Sequence, residues 1–201
     1  MKPQPAQPPP RERILQAARE LFYRDGINSV SVDAIAAAAD TNKMTLYRHF
    51  SSKNELVAAY LAELAAEGEG VWDEARAAHP GDPDAQLRYL LRKVSQWATQ
   101  STSRGCALAN AAVELAERRH PARRVVEAHK RKQCARLVAL VREAGYVRPE
   151  RIADEIFLLV EGARVSMQSV GREGPGARLY ALACELLDSA PKKKSLKAHT
   201  A

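Results

Sequence analysis

Aromatic residues make up only 5% of this 201-residue chain, and alanine recurs throughout it. That balance disfavours a β-rich fold. Its three cysteines, Cys106, Cys134 and Cys184, form an odd, widely spaced set with no CxxC pair. Such a set supplies neither a disulfide framework nor a zinc site, and it fits a reducing cytoplasm. No apolar run approaches the roughly 20 residues a membrane span needs. The opening MKPQPAQPPPRER has no apolar h-region, so no secretory signal is expected. Catalytic signatures are missing too. There is no GxSxG, no phosphate-cradling glycine loop and no convincing carboxylate pair, and the five histidines show no HExxH or other metal spacing. Neither an enzyme, a metal site nor a cofactor is expected.

Charge is what the chain has in excess. Lys and Arg number 31 against 24 Asp and Glu, a formal +7. A basic chain makes a polyanion partner plausible without proving one. The excess is uneven: 121–149 holds eight basic residues against two acidic ones, and 41–53 holds Lys43, Arg48 and Lys53 with no acid at all. Arg123, Arg124, Lys130, Arg131 and Lys132 read as a solvated helix face. Lys192, Lys193, Lys194 and Lys197 read as part of a disordered basic tail, 190–201.

Pro3, Pro5, Pro8, Pro9 and Pro10 make residues 1–10 an extended arm. Beyond it the pattern is helical throughout. Ile14, Ala18, Leu21 and Phe22 form one stripe of a helix over about 11–25, stopped by Asp25-Gly26. Ser31 caps a short second helix to about Ala39, with Asp33 in its first turn. A third short helix covers roughly 42–48. Ser52-Lys53-Asn54-Glu55 is a capping box that opens a fourth helix, expected to run to about 79. No separate linker is expected, because that helix would run from one half of the chain into the other. Further helices follow over 83–100, 106–118, 121–144, 149–171 and 175–188, bounded by Gly and Pro. The fold class is therefore all-α, with about nine helices: an N-terminal three-helix helix-turn-helix unit and a C-terminal helical bundle.

The third helix has a dry side and a polar side. Leu46 and Phe50 are placed to pack with Ile35 and Ala39. Asn42, Thr45, Arg48 and His49 lie on the other side and offer the amide, hydroxyl, guanidinium and imidazole groups that base edges and phosphates need. The helix starts at Ser31 and at Ser52-Lys53 present backbone N–H groups and a positive dipole end to an anion. The string Asp40-Thr41-Asn42-Lys43-Met44-Thr45-Leu46-Tyr47-Arg48-His49-Phe50, followed by Ser52-Lys53-Asn54-Glu55-Leu56, resembles the DNA-binding region of TetR-family transcriptional regulators across residues 11–57. The resemblance implies a dimeric, ligand-responsive repressor. It also implies that Ser31, Lys43, Tyr47, His49 and Lys53 touch phosphates while Asn42, Thr45 and Arg48 face base edges. Met44 departs from the family, which usually has glycine or a small residue there; Met44 either touches a thymine methyl or holds the helix slightly away.

Residues 58–189 are expected to form a ligand-binding and dimerisation domain. The last two helices are apolar nearly all round, which calls for burial on more than one side and points to a homodimer through them. Trp97, Cys106, Asn110, Cys134, Glu161 and Arg164 sit among apolar residues. They read either as the polar groups of an effector pocket or as ordinary packing, with Glu161 and Arg164 paired at i, i+3. The expected partners are pseudo-palindromic double-stranded DNA, a small-molecule effector and a second copy of the chain, in the cytoplasm and without a membrane. The alternatives are a constitutive DNA binder without an effector, or an activator.

Overall fold

A computed structural model describes residues 7–100, 105–117 and 119–193. Residues 1–6 of the proline-rich arm, 101–104 and the tail lysines Lys194 and Lys197 lie outside the described residues. Ten α-helices are present among the described residues: α1 (Pro10–Asp25), α2 (Val32–Ala38), α3 (Lys43–His49), α4 (Lys53–Glu67), α5 (Gly70–Ala78), α6 (Pro83–Gln100), α7 (Ala107–Glu114), α8 (Pro121–Glu143), α9 (Pro149–Ser169) and α10 (Leu179–Ser189). A 3-10 turn, Pro175–Arg178, precedes α10. The all-helical class expected from the sequence is what the structure has.

The helix count differs in one place. The expected long fourth helix is two helices, because Gly68 caps α4 and Gly70 opens α5. Two glycines two residues apart remove the helix preference that the surrounding alanines supply. The contacts divide the chain into two compact units, residues 1–68 with 106–129 and residues 69–105 with 130–201. The first unit therefore reaches past residue 57, and it takes in α7, which the sequence had placed with the second half.

In the first unit, Pro10 stands at the start of α1, where its missing N–H costs nothing. Pro10, expected in the extended arm, is therefore helical. Ile14, Leu15, Ala18 and Phe22 are buried, and the Phe22 ring lies 5.6 Å from that of Tyr60 on α4. Gly26 ends α1 at φ 90°, a left-handed conformation that favours glycine. The turn from α2 to α3 holds Asp40 at φ 49°, a region that aspartate visits more readily than most residues. The Arg13 guanidinium steadies this turn by donating to the Asp40 carbonyl at 3.1 Å. Far along the chain, the Glu114 carboxylate at the end of α7 accepts from the Ile27 N–H at 2.7 Å, and Asn28 Nδ2 donates to the Glu114 carbonyl at 3.1 Å. These bonds fasten α7 to the loop after α1.

The core of the second unit gathers Val71, Leu87, Leu91, Val141, Tyr146, Ile152, Ile156, Ala183 and Leu187. Gly176, in the 3-10 turn, fits close against α9; a Cβ there would lie 2.7 Å from the Ala163 carbonyl. The beginning of the expected disordered tail is held instead. Val147 N–H donates to the Pro191 carbonyl at 3.0 Å and Lys193 N–H to the Gly145 carbonyl at 2.8 Å, framing an antiparallel bridge between Tyr146 and Lys192. Lys192 Nζ also reaches the Asp84 carboxylate at 2.8 Å, where the Tyr146 hydroxyl donates at 2.6 Å and Arg88 Nε at 2.9 Å. Composition alone gave no sign of this, because the tail's partners lie about 50 and 110 residues away in sequence.

Candidate nucleic-acid interface

α3 is only seven residues long, so its placement depends on its ends and its inner face. Asn42 caps it, with Oδ1 accepting from the Thr45 N–H at 2.9 Å. One oxygen of the Asn42 amide is therefore committed to starting the helix. Leu46 and Phe50 are buried in one core with Ile35 and Ala39, as their spacing requires. The Arg11 guanidinium sits over the Phe50 ring at 5.2 Å to its centroid. Burying Leu46 contributes about 1.5–3 kcal/mol, enough to orient so short a helix.

The opposite side is open. Asn42, Lys43, Met44, Tyr47, Arg48 and His49 are exposed and Thr45 is half-buried. At about 100° per residue, Met44 and Arg48 lie about 140° and 180° from the mean direction of Leu46 and Phe50. They form the outermost line of the helix, one turn apart. His49 and Tyr47 stand on its flanks.

Lys43 lies in an acid-free stretch of sequence, but α2 brings Asp33 to it at 3.2 Å, with both side chains largely exposed. Such a pair is worth at most about 1 kcal/mol, so a phosphate can displace the carboxylate at little cost. Ser31 Oγ accepts from the Ala34 N–H at 3.1 Å, and Ser52 Oγ from the Glu55 N–H at 3.1 Å. The Glu55 carboxylate turns back onto the Ser51 hydroxyl and N–H, and these bonds hold its pKa below the ordinary carboxylate value. Lys53, in the first turn of α4, is half-buried. Burial pushes its ammonium below the usual lysine range, while Glu114 works in the other direction. The residues expected to touch DNA thus span α2 to the start of α4, within a single unit. The pairing of Asp33 with Lys43 and the action of Glu114 on Lys53 have no signal in the local sequence, because both acids act across sequence distance.

The expected effector residues do not share one unit. Cys106 and Asn110 belong to the first unit; Trp97, Cys134, Glu161 and Arg164 belong to the second. Trp97 is 47% exposed. Cys106 stands at the N-cap of α7 and packs against the core of the first unit. Burial pushes the Cys134 thiol up, away from reactivity. Burial would also raise Glu161, but Lys130 at 2.7 Å and Arg164 at 2.6 Å outweigh it and hold the carboxyl below its ordinary value. The i, i+3 pairing of Glu161 with Arg164 is therefore present. A cleft of about 480 Å³ in the first unit, lined by Glu12, Arg13, Gln16, Ala38 and Asp40 among others, includes none of the six.

The basic face of α8 is not simply solvated. Lys130 meets Glu161, Lys132 meets Glu69 at 2.7 Å, Arg136 pairs with the same Glu69, and Arg123 donates to the Leu115 carbonyl at 2.8 Å. Among the described residues no group of three or more His, Cys, Asp or Glu could hold a metal ion. No helix among them is long and apolar enough to cross a membrane.

Residues 14–60 match the family model described as bacterial regulatory proteins, tetR family. A TetR-type regulator from Streptomyces avermitilis superimposes with a TM-score of 0.80 at 30% identity, covering 92% of this chain and 100% of that one. The chain belongs to the TetR family. A second TetR-family regulator, from Streptomyces coelicolor, has a TM-score of 0.78 at 29% identity over 89% of this chain and 92% of that one. In sequence, the HTH-type transcriptional regulator AcrR of Shigella flexneri is 37% identical over 82 residues, 40% of this chain. The DNA-binding transcriptional repressor TetR of Mycobacteroides abscessus is 39% identical over 61 residues, 30% of this chain. The chain spans only 38% of the AcrR length in that match, and 28% of the length of UidR from Escherichia coli. These TetR-family relatives are transcriptional regulators, not enzymes.

Proposed function

We propose that the chain is a cytoplasmic, homodimeric DNA-binding transcriptional regulator that reads a pseudo-palindromic operator with α3 and is released from it, as a repressor, by a small molecule. One observation carries the DNA-binding part: a short helix capped by Asn42 and anchored by Leu46 and Phe50 turns Arg48, Tyr47 and His49 to solvent. In this reading Asn42, Thr45 and Arg48 face base edges. Lys43, Tyr47, His49, Lys53 and the helix start at Ser31 hold phosphates, with the Tyr47 ring against the sugar-phosphate chain. The name of the Mycobacteroides abscessus relative supports repression over activation.

Dimerisation through α9 and α10 has its own support. Leu158 and Val165, seven residues apart on α9, are 69% and 61% exposed, and Leu182 on α10 is exposed as well. A two-fold dimer is what an operator with half-sites about one DNA turn, ~34 Å, apart would match. An effector favouring a conformation that DNA disfavours needs a coupling of only about 1–3 kcal/mol to weaken operator affinity roughly 5–150-fold. The satisfied Glu161 favours the alternative of a constitutive binder, since its charge is already met by Lys130 and Arg164. Thermal-shift screening with apolar and cationic compounds separates the two, because a bound effector raises the melting temperature.

Selection of bound duplexes from a random pool tests the main reading. Enrichment of a two-fold symmetric motif with half-sites about one helical turn apart is the expected result. A pool that stays random overturns it.

A further inference from the structure

Met44 is the one residue on the outer line of α3 without hydrogen-bonding groups of the kind its neighbours carry. It is 76% exposed, lies between Lys43 and Thr45, and has no place in the core of its unit. Arg48, one turn further on, shares the line directly opposite Leu46 and Phe50. Whatever this line meets is contacted first by a flexible thioether and a guanidinium.

The major groove offers each of these groups a different counterpart. A guanidinium pairs in two-pronged fashion with guanine O6 and N7. A thioether, at best a weak acceptor, gains little from phosphates or from base-edge donors and acceptors. The apolar feature of the groove is the C5-methyl group of thymine. Four residues advance a helix by about 6 Å, and base pairs rise about 3.4 Å each. The two contacts therefore fall about one to two base pairs apart.

We infer that Met44 is a specificity-determining residue that reads a thymine C5-methyl group about one to two base pairs from the guanine addressed by Arg48. This rests on α3 being the DNA-reading helix.

The test takes the duplex enriched from a random pool and replaces each thymine in turn by deoxyuridine, which removes the methyl group and keeps the O4 acceptor. Binding of the full chain is followed by fluorescence anisotropy. One thymine per half-site should respond, with affinity falling about four-fold, the value for withdrawing one methyl-sized group from an apolar contact. Met44→Ala should bind the thymine and uracil duplexes equally while melting at the wild-type temperature, since its side chain supports no core. A wild-type protein indifferent to every replacement overturns the inference and leaves DNA binding standing. So does a thymine preference that survives in Met44→Ala, or a Met44→Ala loss that is equal on both duplexes, which would make the side chain a backbone contact. Failure to enrich any duplex overturns both the inference and the reading beneath it.

Discussion

The chain has two basic helical regions, and the weaker one on paper is the better candidate for DNA. Over 121–149 eight basic residues face two acidic ones. Yet Lys130 is taken by Glu161, and Lys132 and Arg136 by Glu69. Around α3 there are fewer cations: Lys43 is met by the exposed Asp33 and Lys53 feels Glu114, while Arg48 and His49 face solvent. Net charge along a sequence counts residues, whereas a partner feels the field that remains after the fold has delivered its counter-charges. Pairing can be judged only once distant segments have been brought together.

The largest expected effect tests whether α3 depends on its inner face. Leu46→Ala should cost about 2–5 kcal/mol in a urea melt, because it empties a fully buried site. A loss below about 1 kcal/mol would mean that the helix is held by something else. Next comes the split between the two basic regions. Arg48→Ala should relax base preference at one position per half-site by about 1–3 kcal/mol in a selection experiment. Lys132→Ala should leave that preference and the salt slope of binding as they were. A Lys132→Ala protein with a flattened slope would return α8 to the interface.

The second unit can be probed through acid. Burial would raise the Asp84 carboxyl, but Lys192, Tyr146 and Arg88 outweigh it and bring it down to about 2. An unfolded aspartate titrates near about 4, so the folded state binds this proton less readily. The stabilisation is complete above pH about 4 and is lost as pH falls towards about 2. Asp84→Asn should lower the melting temperature at neutral pH and flatten this acid limb; an unchanged limb removes Asp84 as its source. The smallest effect belongs to Asp33→Asn, which frees Lys43 and should tighten DNA binding a few-fold at low salt, in line with an exposed pair worth at most about 1 kcal/mol. Weaker binding would show that Asp33 helps the interface.

Much of the first unit was legible because its signals are local. Ser31 and Ser52 act within three residues of themselves as helix caps, and the stripe Ile14, Ala18, Phe22 follows helical spacing; Asn42, expected only at base edges, also caps α3. What escaped was held by long-range partners. Glu114 fastens α7 to Ile27 and Asn28, Lys192 finds Asp84, and Glu69 gathers two cations of α8. The break at Gly68 and Gly70 was local but was masked by the alanine-rich run around it. The six expected effector residues are polar or soft groups among apolar neighbours, a pattern that ordinary packing and ion pairing also produce; Glu161 and Arg164 are paired in that way.

Hydrogen–deuterium exchange of the full chain, with and without its selected duplex, bears most directly on the contrast between the two basic regions. DNA should slow exchange at the backbone amides of residues 42–55 and leave 121–136 unchanged. Slowed exchange over 121–136, with 42–55 unaffected, would contradict it.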